Sequence, residues 1–326
     1  MTLLLVSLPI LLIMGVANVV AARGGAGARL AFNLLLFLAN ALLAAGGLAL
    51  LLLPAESLNL AGAGLPGLGQ GRSGVILLGM GLWGMAASLK PTRRALARLL
   101  PALEPESAVH TLALAMIGYL AGNAALSSAP GALEALVDSG LEASLVDVLT
   151  QQLMFVLAAF IGVGLFTRRD SVALNERLGL RRPTARQLWT GVRWMLFFVF
   201  LQGCIGATWT LLDPAQAEQL GGLNEALLGD FDTVWEWFLL AAAAGLGEEL
   251  LFRGALQPVF GIVFTSLIFA VSHVQYGLSP ATLTVFLLSV VLGIIRKRSN
   301  TTVAILVHAG YNFILGLLSL LAVSLS

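Results

Sequence analysis

Two adjacent carboxylates and a guanidinium, Glu248, Glu249 and Arg253, stand inside an otherwise apolar run, Glu248-Glu249-Leu250-Leu251-Phe252-Arg253. Within a membrane span each such group costs roughly 2 to 4 kcal/mol on insertion scales unless it is paired or meets water. Glu249 and Arg253 are four residues apart and share a helix face, in the acid-before-base order that favours pairing. Glu248 is rotated from them by about 100 degrees and has no such local partner. The spacing divides the two acids: Glu249 is the structural acid neutralised by Arg253, and Glu248 is left for general-base work. Further along, His273 follows Phe269 by four residues, and His308 and Asn312 are again four apart on one face. An imidazole and an amide projecting together can donate two hydrogen bonds to a developing oxyanion. Ionisable groups within spans are functional by default because they are expensive, although they also act as structural glue or line ion paths.

The surroundings of these residues are those of an integral membrane protein. Of 326 residues 58% are hydrophobic and 11% charged, with a mean hydropathy of +0.93, against roughly 25% charged in a soluble domain. Apolar runs of about 20 residues recur along the chain, the signature of an all-α polytopic helix bundle and not of an outer-membrane barrel. About ten spans are expected: Thr2 to Ala22, Leu30 to Leu53, Val75 to Leu89, Ala108 to Ala125, Leu149 to Phe166, Leu188 to Leu211, Val234 to Val259, Gly261 to Val274, Ala281 to Ile295 and Thr302 to Val323. The first lacks a basic n-region and is too long for a signal h-region, so it reads as a retained span.

Fifteen of the 18 Lys and Arg fall after the first, third, fifth and ninth spans, which the positive-inside rule assigns to the cytoplasm, leaving both termini outside. The opposite side gathers acid: Glu134, Asp138 and Glu142 in one loop, and Asp213, Glu218, Glu225, Asp230 and Asp232 in another. Three regions are expected: a five-span membrane region of unassigned role over 1–167, a basic amphipathic cytoplasmic connector over 168–187, and a five-span core over 188–326. Nothing in the charge pattern suits nucleic acid, and the bilayer is the evident partner. Cys204 permits no intramolecular disulfide and is expected to pack in the core. His110, near a span end, reads as a satisfied interfacial histidine. Gly245, Gly247, Gly254, Gly261, Gly293, Gly310 and Gly316 are expected to permit close helix approach.

The three segments Glu248-Glu249-Leu250-Leu251-Phe252-Arg253, Phe269-Ala270-Val271-Ser272-His273 and His308-Ala309-Gly310-Tyr311-Asn312 resemble, in order and interval, the motifs of the CAAX protease and bacteriocin-processing (Abi-type) family of intramembrane proteases. The resemblance covers roughly Trp189 to Val323. It implies that Glu248 with His273 activates a water for attack on the scissile carbonyl. It further implies that His308 and Asn312 stabilise the oxyanion, with Glu249 and Arg253 as structural support. The substrate would be a peptide or membrane protein, cut at a C-terminus or within the bilayer, and the setting the cytoplasmic membrane. The family also has a metalloprotease reading, in which Glu248, His273 and His308 would be a two-His-one-Glu zinc set; the metal-independent glutamate mechanism, with no cofactor, is preferred.

Other protease chemistries fit worse: there is no H-E-x-x-H, no G-x-S-G and no pair of mid-span aspartates. The contrasting possibility is a non-enzymatic transporter or scaffold, since a Glu/His cluster at mid-membrane also suits a proton-coupled carrier. Counted from the cytoplasmic span ends at 1.5 Å per residue, Glu248, His308 and Asn312 lie roughly 10 to 17 Å deep and His273 about 18 Å, so the four can meet at one level.

Overall fold

The computed structural model describes residues 2–53, 70–128, 144–229, 231–273, 276 and 279–325. The chain is an all-α helix bundle, as expected. Its helices are α1 (Thr2–Arg23), α2 (Ala26–Leu52), α3 (Gln70–Ser88), α4 (Lys90–Ala97), α5 (Ala108–Ser127), α6 (Leu145–Val163), α7 (Ser171–Leu178), α8 (Ala185–Leu212), α9 (Pro214–Leu228), α10 (Val234–Glu249), α11 (Gln257–Ser272), α12 (Pro280–Arg298) and α13 (Thr301–Leu325), with a π-helical segment, Leu250–Leu256, joining α10 to α11. Among the described residues seven helical stretches are long and apolar enough to cross a membrane, or eight if the bent pair α3 and α4 is one span. Against the ten expected spans, the seventh and eighth are merged in one stretch, Val234–Ser272, α3 and α4 meet at 83°, and α1 contributes only a shorter apolar helix, Ser7–Arg23. The acidic residues Glu134, Asp138 and Glu142 lie outside the described residues.

Contacts divide the chain into two compact units, one of Met1–Gly15, Leu141–Ala270 and Ser279–Ser326, the other of Val16–Gly140 and Val271–Leu278. Within the second, α2, α3 and α5 pack closely through small residues and a few buried polar anchors. Tyr119 donates to Asn40 Oδ1 at 2.6 Å, Asn40 donates to the Leu36 carbonyl at 2.7 Å, and Trp83 donates to the Leu114 carbonyl at 2.7 Å. His110 accepts the Glu104 N–H at 2.9 Å and sits in the first turn of α5, a local capping arrangement.

The first unit is built on α6, α8, α10, α12 and α13. One apolar core joins Phe198 of α8 to Leu288, Leu292 and Ile295 of α12 and to Val303, Ala304, Val307 and Tyr311 of α13. A second joins Ala159 and Val163 of α6 to Leu174 and Leu178 of α7 and to Leu250. Leucines and phenylalanines such as Leu196, Phe197, Phe200 and Leu211 cover the exposed side of α8, as a lipid-facing helix requires. Cys204 is on that exposed surface and not in the core, because α8 buries only Gly191 and Phe198.

The basic connector forms the short helix α7, capped at its start by the Asp170 side chain and ended by Gly179 at φ 72°. That left-handed turn lets Thr301 donate its N–H to the Gly179 carbonyl at 2.9 Å and its hydroxyl to the Leu178 carbonyl at 2.5 Å. The start of α13 is thereby fixed to the connector. Six of the seven glycines expected at close approaches are at such points: a Cβ on Gly245 would stand 2.8 Å from Ala309 Cβ, and one on Gly310 would overlap Met195. Gly261 is different. A Cβ there would meet nothing within 4 Å, and its φ of 76° with ψ of 174° breaks α11, in a conformation essentially restricted to glycine.

Candidate active site

Glu248 and Glu249 end α10, and the chain then widens into the π-helical turn that carries Arg253. Such segments are rare and recur at functional sites. Three successive carbonyls of this turn are held by arginines from outside it. Arg177 of α7 donates to Gly254 O at 2.6 Å and to Ala255 O at 3.0 Å, and Arg296 of α12 donates through Nε to Arg253 O at 3.1 Å. Burial, reinforced by Arg169, Arg296 and Arg168, brings the Arg177 guanidinium down to about 10. The connector and the end of α12 thus set where the π turn sits, and with it the site side chains.

Glu249 and Arg253 are paired as the spacing predicts, Nε to Oε2 at 3.2 Å, with both side chains fully buried. Arg253 also donates to Ser289 Oγ at 3.1 Å and lies 4.9 Å over the Phe269 ring. Phe269 packs edge-on against Phe252 at 4.9 Å and against His308 at 6.0 Å, forming an apolar wall beside the charges. Glu249 does more than neutralise Arg253: its Oε1 is 3.0 Å from His308 Nδ1. An ionised carboxylate only accepts, so Nδ1 carries a hydrogen and Nε2 is turned the other way.

On that other side is Glu248, whose Oε2 lies 3.9 Å from His308 Nε2. Its side chain retains 13% exposure where Glu249 has none, although its Oε2 is itself buried. Oε1 of Glu248 accepts from Gln152 Nε2 of α6 at 3.2 Å, while Oε2 has no hydrogen-bond partner among the described residues. Sequence reasoning placed α6 with the N-terminal spans and missed Gln152; the signal available was a pair of amides, Gln151-Gln152, interrupting an apolar run.

Asn312 is half-buried one turn beyond His308 on α13, on the same face. His273 stands just past the last residue of α11 instead of within a span, and stacks on Tyr276 with ring centroids 6.2 Å apart. It belongs to the segment Val271–Leu278 of the second unit, so the cluster within the first unit is Glu248, Glu249, Arg253, His308 and Gln152, with Asn312 alongside. Among the described residues no group of three or more His, Cys, Asp or Glu side chains is arranged to hold a metal ion.

A carboxylate with one oxygen held and one without a hydrogen-bond partner, facing an imidazole whose far nitrogen is anchored by a buried ion pair, is equipped to move a proton and to bind a developing negative charge. Part of the chain that holds this cluster is similar to a known family. Residues 230–314 match the family described as "Type II CAAX prenyl endopeptidase Rce1-like", a span that includes Glu248, Glu249, Arg253, His273, His308 and Asn312 and excludes Gln152 and Arg177. No curated protein and no solved structure matches the chain. Over these residues, about a quarter of the chain, the sequence is similar to that family, in keeping with the resemblance of its three motifs to the CAAX protease and bacteriocin-processing family.

Proposed function

We propose that the protein is an intramembrane endopeptidase that hydrolyses a peptide bond by a metal-independent, glutamate-dependent mechanism. Glu248 takes a proton from a water as its oxygen attacks the scissile carbonyl carbon, with His273 helping to hold that water. The tetrahedral oxyanion accepts hydrogen bonds from His308 Nε2 and the Asn312 amide; since Nδ1 already donates to Glu249, His308 enters the cycle as the imidazolium and keeps both ring protons throughout, the water proton going to Glu248 alone. Glu248 then delivers its proton to the leaving amine nitrogen and the C–N bond breaks. Glu249 and Arg253 support the site, and the protein works in the cytoplasmic membrane with its basic connectors on the cytoplasmic side.

The observation that carries this reading is the Glu248 carboxylate, with one oxygen free of hydrogen-bond partners among the described residues, facing His308 3.9 Å away beside a fully buried Glu249–Arg253 pair. The family description makes a prenylated peptide ending in a CAAX sequence the first probe. Purified protein in liposomes is incubated with that peptide and the products are identified by mass spectrometry. A single internal cut is expected, and a substrate-trapping capture with Glu248→Gln then finds the physiological substrate. pH-dependent flux with no cleavage product from any captured protein would overturn the reading.

A further inference from the structure

Gln152 reaches the proposed reacting carboxylate from outside the matched segment. Its Nε2 is 3.2 Å from Glu248 Oε1, and the residue is 6% exposed. Burying an amide in an apolar helix contact costs about 1–3 kcal/mol where its groups are incompletely paired. Here Gln152 Oε1 has no hydrogen-bond partner among the described residues, so the placement is poor as a purely stabilising device. The approach is also enforced by the neighbour of Glu248. A Cβ on Gly247 would fall 2.4 Å from Gln152 Oε1, 2.8 Å from its carbonyl oxygen and 3.1 Å from its Cα. Only glycine at 247 lets α6 and α10 come close enough for the amide to reach Glu248.

We propose that Gln152 is a positioning residue for Glu248: its N–H holds Oε1 so that Oε2, buried and without a hydrogen-bond partner among the described residues, stays turned toward His308 Nε2. This rests on the endopeptidase reading above. It also means that the catalytic unit includes α6, a helix the family match does not cover.

Two variants test it. Gln152→Met keeps the shape and removes the donor; Gly247→Ala keeps the donor and pushes the amide away. With the prenylated CAAX peptide as probe, each is expected to lower kcat by about 10- to 100-fold, the value of a hydrogen bond to a charged group, with KM changed less than about twofold; the melting temperature is retained in Gln152→Met and lowered in Gly247→Ala, whose Cβ meets the Gln152 backbone. Unchanged kcat in both, or a loss in KM alone, would overturn the proposal. A readout independent of cleavage is the Glu248 carboxylate stretch, isolated as the infrared difference between the parent and its Glu248→Gln version. That band is expected to shift when the background is Gln152→Met or Gly247→Ala, and an unmoved band in whichever variant folds would overturn the proposal. If the parent protein cuts no peptide, the endopeptidase reading fails while the infrared band still decides the role of Gln152.

Discussion

Replacing Glu249 by Gln removes one negative charge from a site where its partner cannot escape. Arg253 is fully buried, held by Glu249 at 3.2 Å, and its other contacts are the neutral Ser289 hydroxyl at 3.1 Å and the face of Phe269 at 4.9 Å. None of these neutralises a guanidinium. Leaving a buried charge without its partner costs roughly 3–5 kcal/mol, so Glu249→Gln is expected to destabilise the protein by that amount. The His308 contact contributes little to the loss, because the glutamine carbonyl can still accept from Nδ1. Adding Arg253→Met removes the stranded charge, and the double variant is expected to recover most of the stability, within about 2 kcal/mol of the parent protein. Unfolding in mixed micelles titrated with a denaturing detergent and followed by tryptophan fluorescence measures the parent, Glu249→Gln, Arg253→Met and the double variant. Glu249→Gln unfolding at the same point as the parent, or a double variant as unstable as the sum of its parts, would refute the assignment of Glu249 and Arg253 as a mutually dependent pair.

Asn312→Ala is expected to lower kcat by about 10²- to 10³-fold, the usual loss of one oxyanion donor, with stability unaffected because the side chain is only half-buried; steady-state cleavage with a melting curve checks both. Gly261→Ala meets no steric obstacle within 4 Å but must adopt φ 76°, so a destabilisation of about 1–3 kcal/mol from backbone strain alone is expected in the same denaturation assay. Cleavage is expected to survive prolonged strong chelation, with purified protein carrying well under one zinc per chain by elemental analysis; full loss restored by zinc would establish Glu248, His273 and His308 as a metal set.

The pairing of Glu249 with Arg253 was legible because it depends only on four-residue spacing, and it survives the π turn that begins at Leu250. That turn itself was not legible: it is set by carbonyl contacts from Arg177 and Arg296, 76 residues before and 43 after Arg253 (253 − 177; 296 − 253). The role of Glu249 in orienting His308 was missed for the same reason, since a contact across 59 residues leaves no periodic trace. Glycine positions were read as packing sites from composition alone, which holds at Gly245 and Gly247 and fails at Gly261, where conformation and not space is the requirement. Gln152 shows the limit of reasoning from charge. A neutral amide in an apolar run draws little notice, yet it is the residue that touches Glu248.

The central claim is that Glu248, and not Glu249, takes the proton from water. Its direct test is the Glu248→Gln protein in liposomes with the prenylated CAAX peptide, compared with the parent. The change leaves the Glu249–Arg253 pair intact, so the variant is expected to stay within about 1 kcal/mol of the parent, as for a substitution that breaks no buried pair, and to yield no cleavage product. A folded Glu248→Gln protein that still cuts the peptide at the parent rate, with a folded but inactive Glu249→Gln, would show that the two glutamates have the opposite roles.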